Sequence, residues 1–147
     1  MRVAIVGDRN CNDYNLLLQA IEKSGFEITE VVSGGAKGAD ALAKLYAKNT
    51  GIPYTEFKAD WNNVDVPDAR VKTRYNPWKK VDEEYNANAG FARNQEMAEY
   101  ADACIVLQPN GNTGGSQDML KRAKAEDCST YVFDRSQKSD DEFKYFF

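Results

Sequence analysis

The 147-residue chain contains no histidine, only three cysteines, and no apolar run long enough to span a bilayer. The missing histidine removes the commonest general base and the commonest transition-metal ligand together. Cys11, Cys104 and Cys128 are odd in number and lack the close spacing of a metal site, which suits a reducing compartment. No metal and no cofactor are expected. Positive charge is also short, since 19 Lys and Arg stand against 23 Asp and Glu, a net charge of −4. Broad nucleic-acid binding is therefore not expected, although a local basic patch stays open. Met1 runs directly into an apolar strand without the shape of a signal peptide. The expectation is a cytoplasmic protein with no membrane contact. At this length residues 1–147 form a single domain that buries roughly two-thirds of its unfolded surface.

The feature that stands out is Ser33-Gly34-Gly35-Ala36-Lys37-Gly38-Ala39-Asp40, which follows an apolar run and leads into an alanine-rich helical pattern. A strand that ends in glycines and turns into a helix offers a ligand close approach to backbone amides at the positive end of the helix dipole. The spacing is neither that of a Walker A loop nor that of the six-residue dinucleotide fingerprint. A tight turn with glycines for geometry alone is the competing reading.

Around this stretch the pattern alternates. Met1 to Val6 reads as a strand ending in Gly7-Asp8-Arg9-Asn10, and Asn12 or Asp13 caps a helix closed by Gly25. A strand over Ile28 to Ser33, a helix from Ala39 to Gly51 and a strand over Tyr54 to Lys58 follow. Residues 59–88 show no clear period, and Trp61 and Trp78 suggest an ordered insertion, because two tryptophans are costly to leave in water. A helix over Ala89 to Ala101, a buried strand over Ala103 to Leu107, a loop from Gln108 to Gly115, a helix over Ser116 to Glu126 and a strand over Thr130 to Phe133 complete the domain. The polar tail, residues 134–147, ends in Phe143, Tyr145, Phe146 and Phe147, aromatics suited to docking on the domain or on a partner.

Strands alternating with helices predict an α/β fold, a doubly wound and mostly parallel sheet with helices on both faces. Such sheets bind ligands at the carboxyl ends of their strands, near the switch in strand order. The loops Gly7 to Asn10, Ser33 to Asp40 and Pro109 to Ser116 meet that description, and the topology is expected to gather them at one edge.

The glycine stretch, then Ala59-Asp60-Trp61, Ala89-Gly90-Phe91-Ala92-Arg93-Asn94-Gln95-Glu96-Met97, Ala101-Asp102-Ala103 and Gly114-Gly115-Ser116-Gln117-Asp118-Met119, occur in the order of a known pattern. They resemble the SLOG superfamily, in its small YspA/YpsA-related branch, over roughly residues 1 to 133. Other branches include the DNA-processing protein DprA and the Lonely Guy phosphoribohydrolases. The resemblance implies a Rossmann-like fold that binds a nucleotide or nucleotide-derived ligand.

The ligand-binding candidates are Gly7, Asp8, Arg9, Ser33, Gly34, Gly35, Lys37, Asp40, Arg93, Asn94, Asn112, Thr113, Gly114, Gly115 and Ser116. Gly34, Gly35 and Lys37 are read as phosphate contacts, and Asn112 to Ser116 as a second cradle or as a capping loop with Thr113 or Ser116 as the cap. Arg93 is read as lying in a first helical turn, where a cation opposes the dipole, so an external anion is expected: a ligand phosphate or a carboxylate such as Asp40. Asp8 is open between a ribose acceptor and a turn residue. Glu96 and Asp118 are the catalytic candidates, although carboxylates suit first turns without any function. The phosphoribohydrolase motif Gly-Thr-x-x-Glu, aligned on Gly115-Ser116, puts Met119 where its glutamate belongs, so that constellation is incomplete.

The expected function is binding of a mononucleotide or ADP-ribose-like phosphate ligand, as a sensor or sequestering protein. An N-glycosidic hydrolase is the first alternative, and a single-stranded nucleic-acid binder, through Arg70, Lys72, Arg74, Trp78, Lys79 and Lys80, is the second. The acids around those residues weaken the second alternative. A homo-oligomer stays open, with residues 59–88 as an interface or a lid.

Overall fold

The computed structural model describes residues 1–8, 10–35, 38–67, 69–108 and 114–134. Arg9, Lys37, Asn112 and Thr113 lie outside the described residues, as does the aromatic tail beyond residue 134.

Five parallel strands form the main sheet, in the order β3-β2-β1-β6-β7. They are β1 (Arg2–Gly7), β2 (Glu30–Ser33), β3 (Tyr54–Glu56), β6 (Ala103–Gln108) and β7 (Ser129–Asp134). The chain starts at the centre, steps outward through β2 and β3, then returns to β6 on the other side of β1. The order therefore reverses between β1 and β6, where Val3 pairs with Ala103 and Gly7 with Leu107. Every residue of β6 is buried, which its unbroken apolar run requires of a central strand covered on both faces.

Side chains alternate across the sheet and divide the core in two. Val3, Ile5, Ile105, Leu107 and Phe133 pack under α1 (Tyr14–Ser24) and α2 (Ala39–Thr50). Ala4, Val6, Cys104 and Val106 pack on the other side, with Met97 and Ala98 of α3 (Ala89–Tyr100) and Met119 and Ala123 of α4 (Gly114–Ala125). The alternation thus yields the doubly wound α/β architecture that the sequence predicts.

Helix ends follow their local chemistry. Asp13 caps α1 by accepting from the Asn15 amide at 3.0 Å, and Gly25 closes it in the left-handed conformation at φ 70°. The first amide of α2 is taken by the Asp8 carbonyl at 3.2 Å, which ties the β1 loop to the helix after the glycine stretch. Helix α4 begins at Gly114, two residues before the predicted start, so Gly114 and Gly115 lie inside its first turn. Burial of Met119 and Ala123 outweighs the cost of two helical glycines, about 1 kcal/mol each. Ser116 is consequently a buried residue within the helix and not its N-cap.

The insertion contains an antiparallel hairpin, β4 (Val71–Asn76) and β5 (Val81–Asn86). It shows no period in the sequence because polar and charged residues occupy both of its faces. At its tip the Asn76 side chain accepts from the amides of Trp78 and Lys79, and Lys80 turns the chain at φ 56°. Trp78 is 93 % exposed, contrary to the expectation that both tryptophans are covered. Trp61 is partly covered and lies against Gly90.

Candidate functional site

A cavity of about 520 Å³ opens at the carboxyl ends of β2 and β3. Gly34 and Gly35, Glu56, Lys58, Trp61, Gly90, Phe91, Arg93, Asn94 and Gly115 line it. The glycine stretch and the start of α4 thus share one cavity although 80 residues separate Gly35 from Gly115. The convergence expected from topology holds for these two segments. β3 stops at Glu56, two residues short of its predicted end, which places Glu56 and Lys58 in the cavity wall.

The glycines of this stretch leave room for side chains of the protein itself. A Cβ on Gly34 would lie 2.3 Å from Nη1 of Arg93 and 3.1 Å from Oδ2 of Asp40. A Cβ on Gly35, which sits at φ 72°, would lie 2.5 Å from Cδ of Glu56. Missing side chains therefore make room for a guanidinium and two carboxylates of the protein itself. The Gly35 amide donates to the Ser33 hydroxyl at 3.1 Å, and that hydroxyl also pairs with the Tyr54 phenol at 2.9 Å. Ser33 is fully buried and organises the loop from beneath.

Arg93 is the fifth residue of α3, beyond its first turn, so opposition to the helix dipole does not account for it. Its position has a direct cause: Nη1 donates to the Gly34 carbonyl at 3.0 Å and Nε to the Asn94 side-chain oxygen at 3.1 Å. Asn94 in turn donates to the Gly115 carbonyl at 3.3 Å and to Asp118 at 3.1 Å, linking α3 to α4.

Neither Asp118 nor Glu96 is among the lining residues of the main cavity. Oδ2 of Asp118 accepts from Nε of Arg122 at 2.8 Å as well as from Asn94, a polar brace between helices. Both carboxylates lie past the first turns in which the sequence places them, Asp118 as the fifth residue of α4 and Glu96 as the eighth of α3. Met119 is buried in the core, as its helical direction predicts. Glu96 borders a smaller neighbouring cavity of about 180 Å³ with Asp60, Asn63 and Asn86, and Lys58 and Arg93 border both cavities.

Gly7 and Asp8 are not among the lining residues. Gly7 faces the Leu107 backbone, and a carboxylate oxygen of Asp8 accepts from the Asn10 amide at 2.9 Å. The turn reading of Asp8 has a bond to support it.

Glu56, Lys58, Trp61, Gly90 and Phe91 line the cavity without having been singled out from sequence as site residues. Trp61, Gly90 and Phe91 lie within the SLOG-like motifs, which was the available signal, whereas Glu56 and Lys58 carried none. The Tyr54 phenol donates to Oε1 of Glu56 at 3.0 Å, and Lys58 stands 3.8 Å from Oε2. Burial, with the Glu56 carboxylate adding to it, pushes Tyr54 up to about 12, so the phenol stays a donor. Among the described residues no group of three acids or thiols is placed to hold a metal, and no helix is long and apolar enough to cross a membrane.

No curated protein matches the chain. Among solved structures it is similar to the DNA processing protein A, DprA, of Streptococcus pneumoniae, with 24% identity and a TM-score of 0.60. The match covers 89% of this chain and 49% of that one, so the chain spans about half the length of DprA. At that identity the likeness is one of fold, a Rossmann-like α/β sheet. A family model described as the YspA, cpYpsA-related SLOG family matches residues 1–63, the span holding β1 to β3 and the glycine stretch. Over residues 1–63 the chain is therefore similar to the YspA, cpYpsA-related SLOG family, and that stretch is part of a parallel sheet whose order reverses beside its central strand.

Proposed function

We propose that the chain binds a nucleotide or nucleotide-derived phosphate ligand in the 520 Å³ cavity, as a sensor or sequestering protein. The observation that carries this reading is the pairing of cations with aromatics on one concave surface: Lys58 and Arg93 beside Trp61 and Phe91. A guanidinium is a planar fork suited to phosphate oxygens. Indole and phenyl faces suit a stacked base. The glycines Gly34, Gly35 and Gly115 keep the wall low, and the first turn of α4 lends the positive end of its dipole. Similarity to the SLOG family over residues 1–63 agrees with a nucleotide-derived ligand. The brace that engages Asp118 favours binding over hydrolysis through that residue.

A thermal-shift screen of mononucleotides and dinucleotides tests the proposal. A ligand at 100 times its dissociation constant is expected to stabilise the fold by about 2.7 kcal/mol. Absence of any shift across the panel overturns it.

One observation favours a second reading, contact with single-stranded nucleic acid through the hairpin. Trp78 stands exposed at the tip beside Lys79 and Lys80, and Arg74 lies 5.0 Å over the Tyr85 ring. DprA, to which the fold is similar, is a DNA processing protein. Asp82, Glu83 and Glu84 on the partner strand oppose the idea. A salt-sensitive gel shift lost in Trp78→Ala supports it, since base stacking contributes about 1–3 kcal/mol; no shift at low salt rejects it.

A further inference from the structure

Glu56 is the one carboxylate among the described lining residues of a cavity otherwise supplied with cations and aromatic rings. A carboxylate there repels a phosphate, so its presence needs a reason other than anion binding. It is held firmly. Oε1 accepts from the Tyr54 phenol at 3.0 Å, and the absent side chain of Gly35 leaves the space that its Cδ fills. On Oε2 the described partner is Lys58 at 3.8 Å, an ion-pair distance too long for a hydrogen bond. An ionised carboxylate has about four acceptor positions, so both oxygens keep capacity for a donor on the ligand. That donor is not a cation, because Lys58 and Arg93 line the same cavity. Neutral hydroxyl groups fit, and a vicinal pair matches the two oxygens of one carboxylate.

Resting on the nucleotide reading above, we propose that Glu56 selects the sugar. Its carboxylate accepts from the 2′- and 3′-hydroxyls of a ribose, and the cavity takes ribonucleotides in preference to their 2′-deoxy counterparts. The phosphate lies toward Arg93 and the base against Trp61 or Phe91, which leaves the sugar for the wall built by β3.

The test is calorimetric titration of the four ribonucleoside diphosphates, their 2′-deoxy counterparts and inorganic pyrophosphate into the intact chain and into Glu56→Gln. The glutamine keeps an acceptor for Tyr54, so the loop is retained. In the wild-type chain the bound ribonucleotide is expected to be about tenfold or more tighter than its deoxy form, the loss of one hydrogen bond to a charged group. In Glu56→Gln that ratio falls toward unity, while pyrophosphate binds more tightly because a negative charge has left. A merely structural role for Glu56 produces no such opposite pair of changes. Equal affinity for the ribo and deoxy forms in the wild-type chain, or a preference that survives Glu56→Gln, overturns the assignment and leaves the nucleotide site standing. Failure of every nucleotide and of pyrophosphate to bind removes both.

Discussion

Gly7→Ala is expected to lower the melting temperature by about 6–12 °C, through overpacking against backbone that cannot move aside. The added methyl would lie 2.1 Å from the carbonyl oxygen of Leu107, 2.9 Å from its carbonyl carbon and 3.0 Å from Cβ of Ala39. The first two are backbone atoms, and that oxygen already accepts from the Asp8 amide at 2.9 Å. Relief requires β1 to separate from β6 at the end of their shared ladder, where Gly7 pairs with Leu107. Overpacking of this kind costs about 3 kcal/mol, and each kcal/mol moves the midpoint of a chain near this size by about 2–4 °C. Differential scanning calorimetry of the purified variant measures it. A melting curve superimposable on the wild-type one means that the two strands are not held this closely.

Arg93→Ala is expected to weaken nucleotide binding about a hundredfold, close to 3 kcal/mol, with a much smaller change in melting temperature. Within the proposed site Arg93 is the cation fixed by hydrogen bonds on both sides, to the Gly34 carbonyl and to Asn94. Arg93→Lys is expected to recover only part of the loss, since an ammonium restores charge without the planar fork. Gly34→Ala offers a sharper probe of the same contact. Its methyl would fall 2.3 Å from the guanidinium, the far end of a flexible side chain, so Arg93 swings away and the fold survives. The outcome is a protein that melts normally and binds poorly, the opposite of Gly7→Ala. Titration calorimetry beside thermal melts separates the two. Wild-type affinity in Gly34→Ala and Arg93→Ala together removes Arg93 from the site.

Much of the fold was legible because one-dimensional patterns carry it. Alternating strands and helices, Asp13 before α1 and Gly25 after it are local signals, and each appears in the structure where it was expected. The hairpin was not legible, because a strand pair with polar residues on both faces leaves no hydrophobic period. The start of α4 was misplaced because Gly114 and Gly115 argue locally for a loop, whereas the core contacts of Met119 and Ala123 are made elsewhere in the chain. Trp78 was expected under cover on the general cost of exposing an indole, yet it stands at the tip of a hairpin that has only its own two strands.

The sequence by itself determined the class of fold, two of the strand loops that border the cavity, and Arg93, Asn94, Gly34, Gly35 and Gly115 as candidates for its wall. Periodicity and turn chemistry act between near neighbours, so they can be read along the chain. Only the tertiary structure decided what the glycines make room for: the guanidinium of Arg93 over Gly34 and the carboxylate of Glu56 over Gly35. Those partners lie 59 and 21 residues away along the chain. No local pattern specifies which distant side chain fills the space a glycine leaves, because strand order and helix packing set that distance.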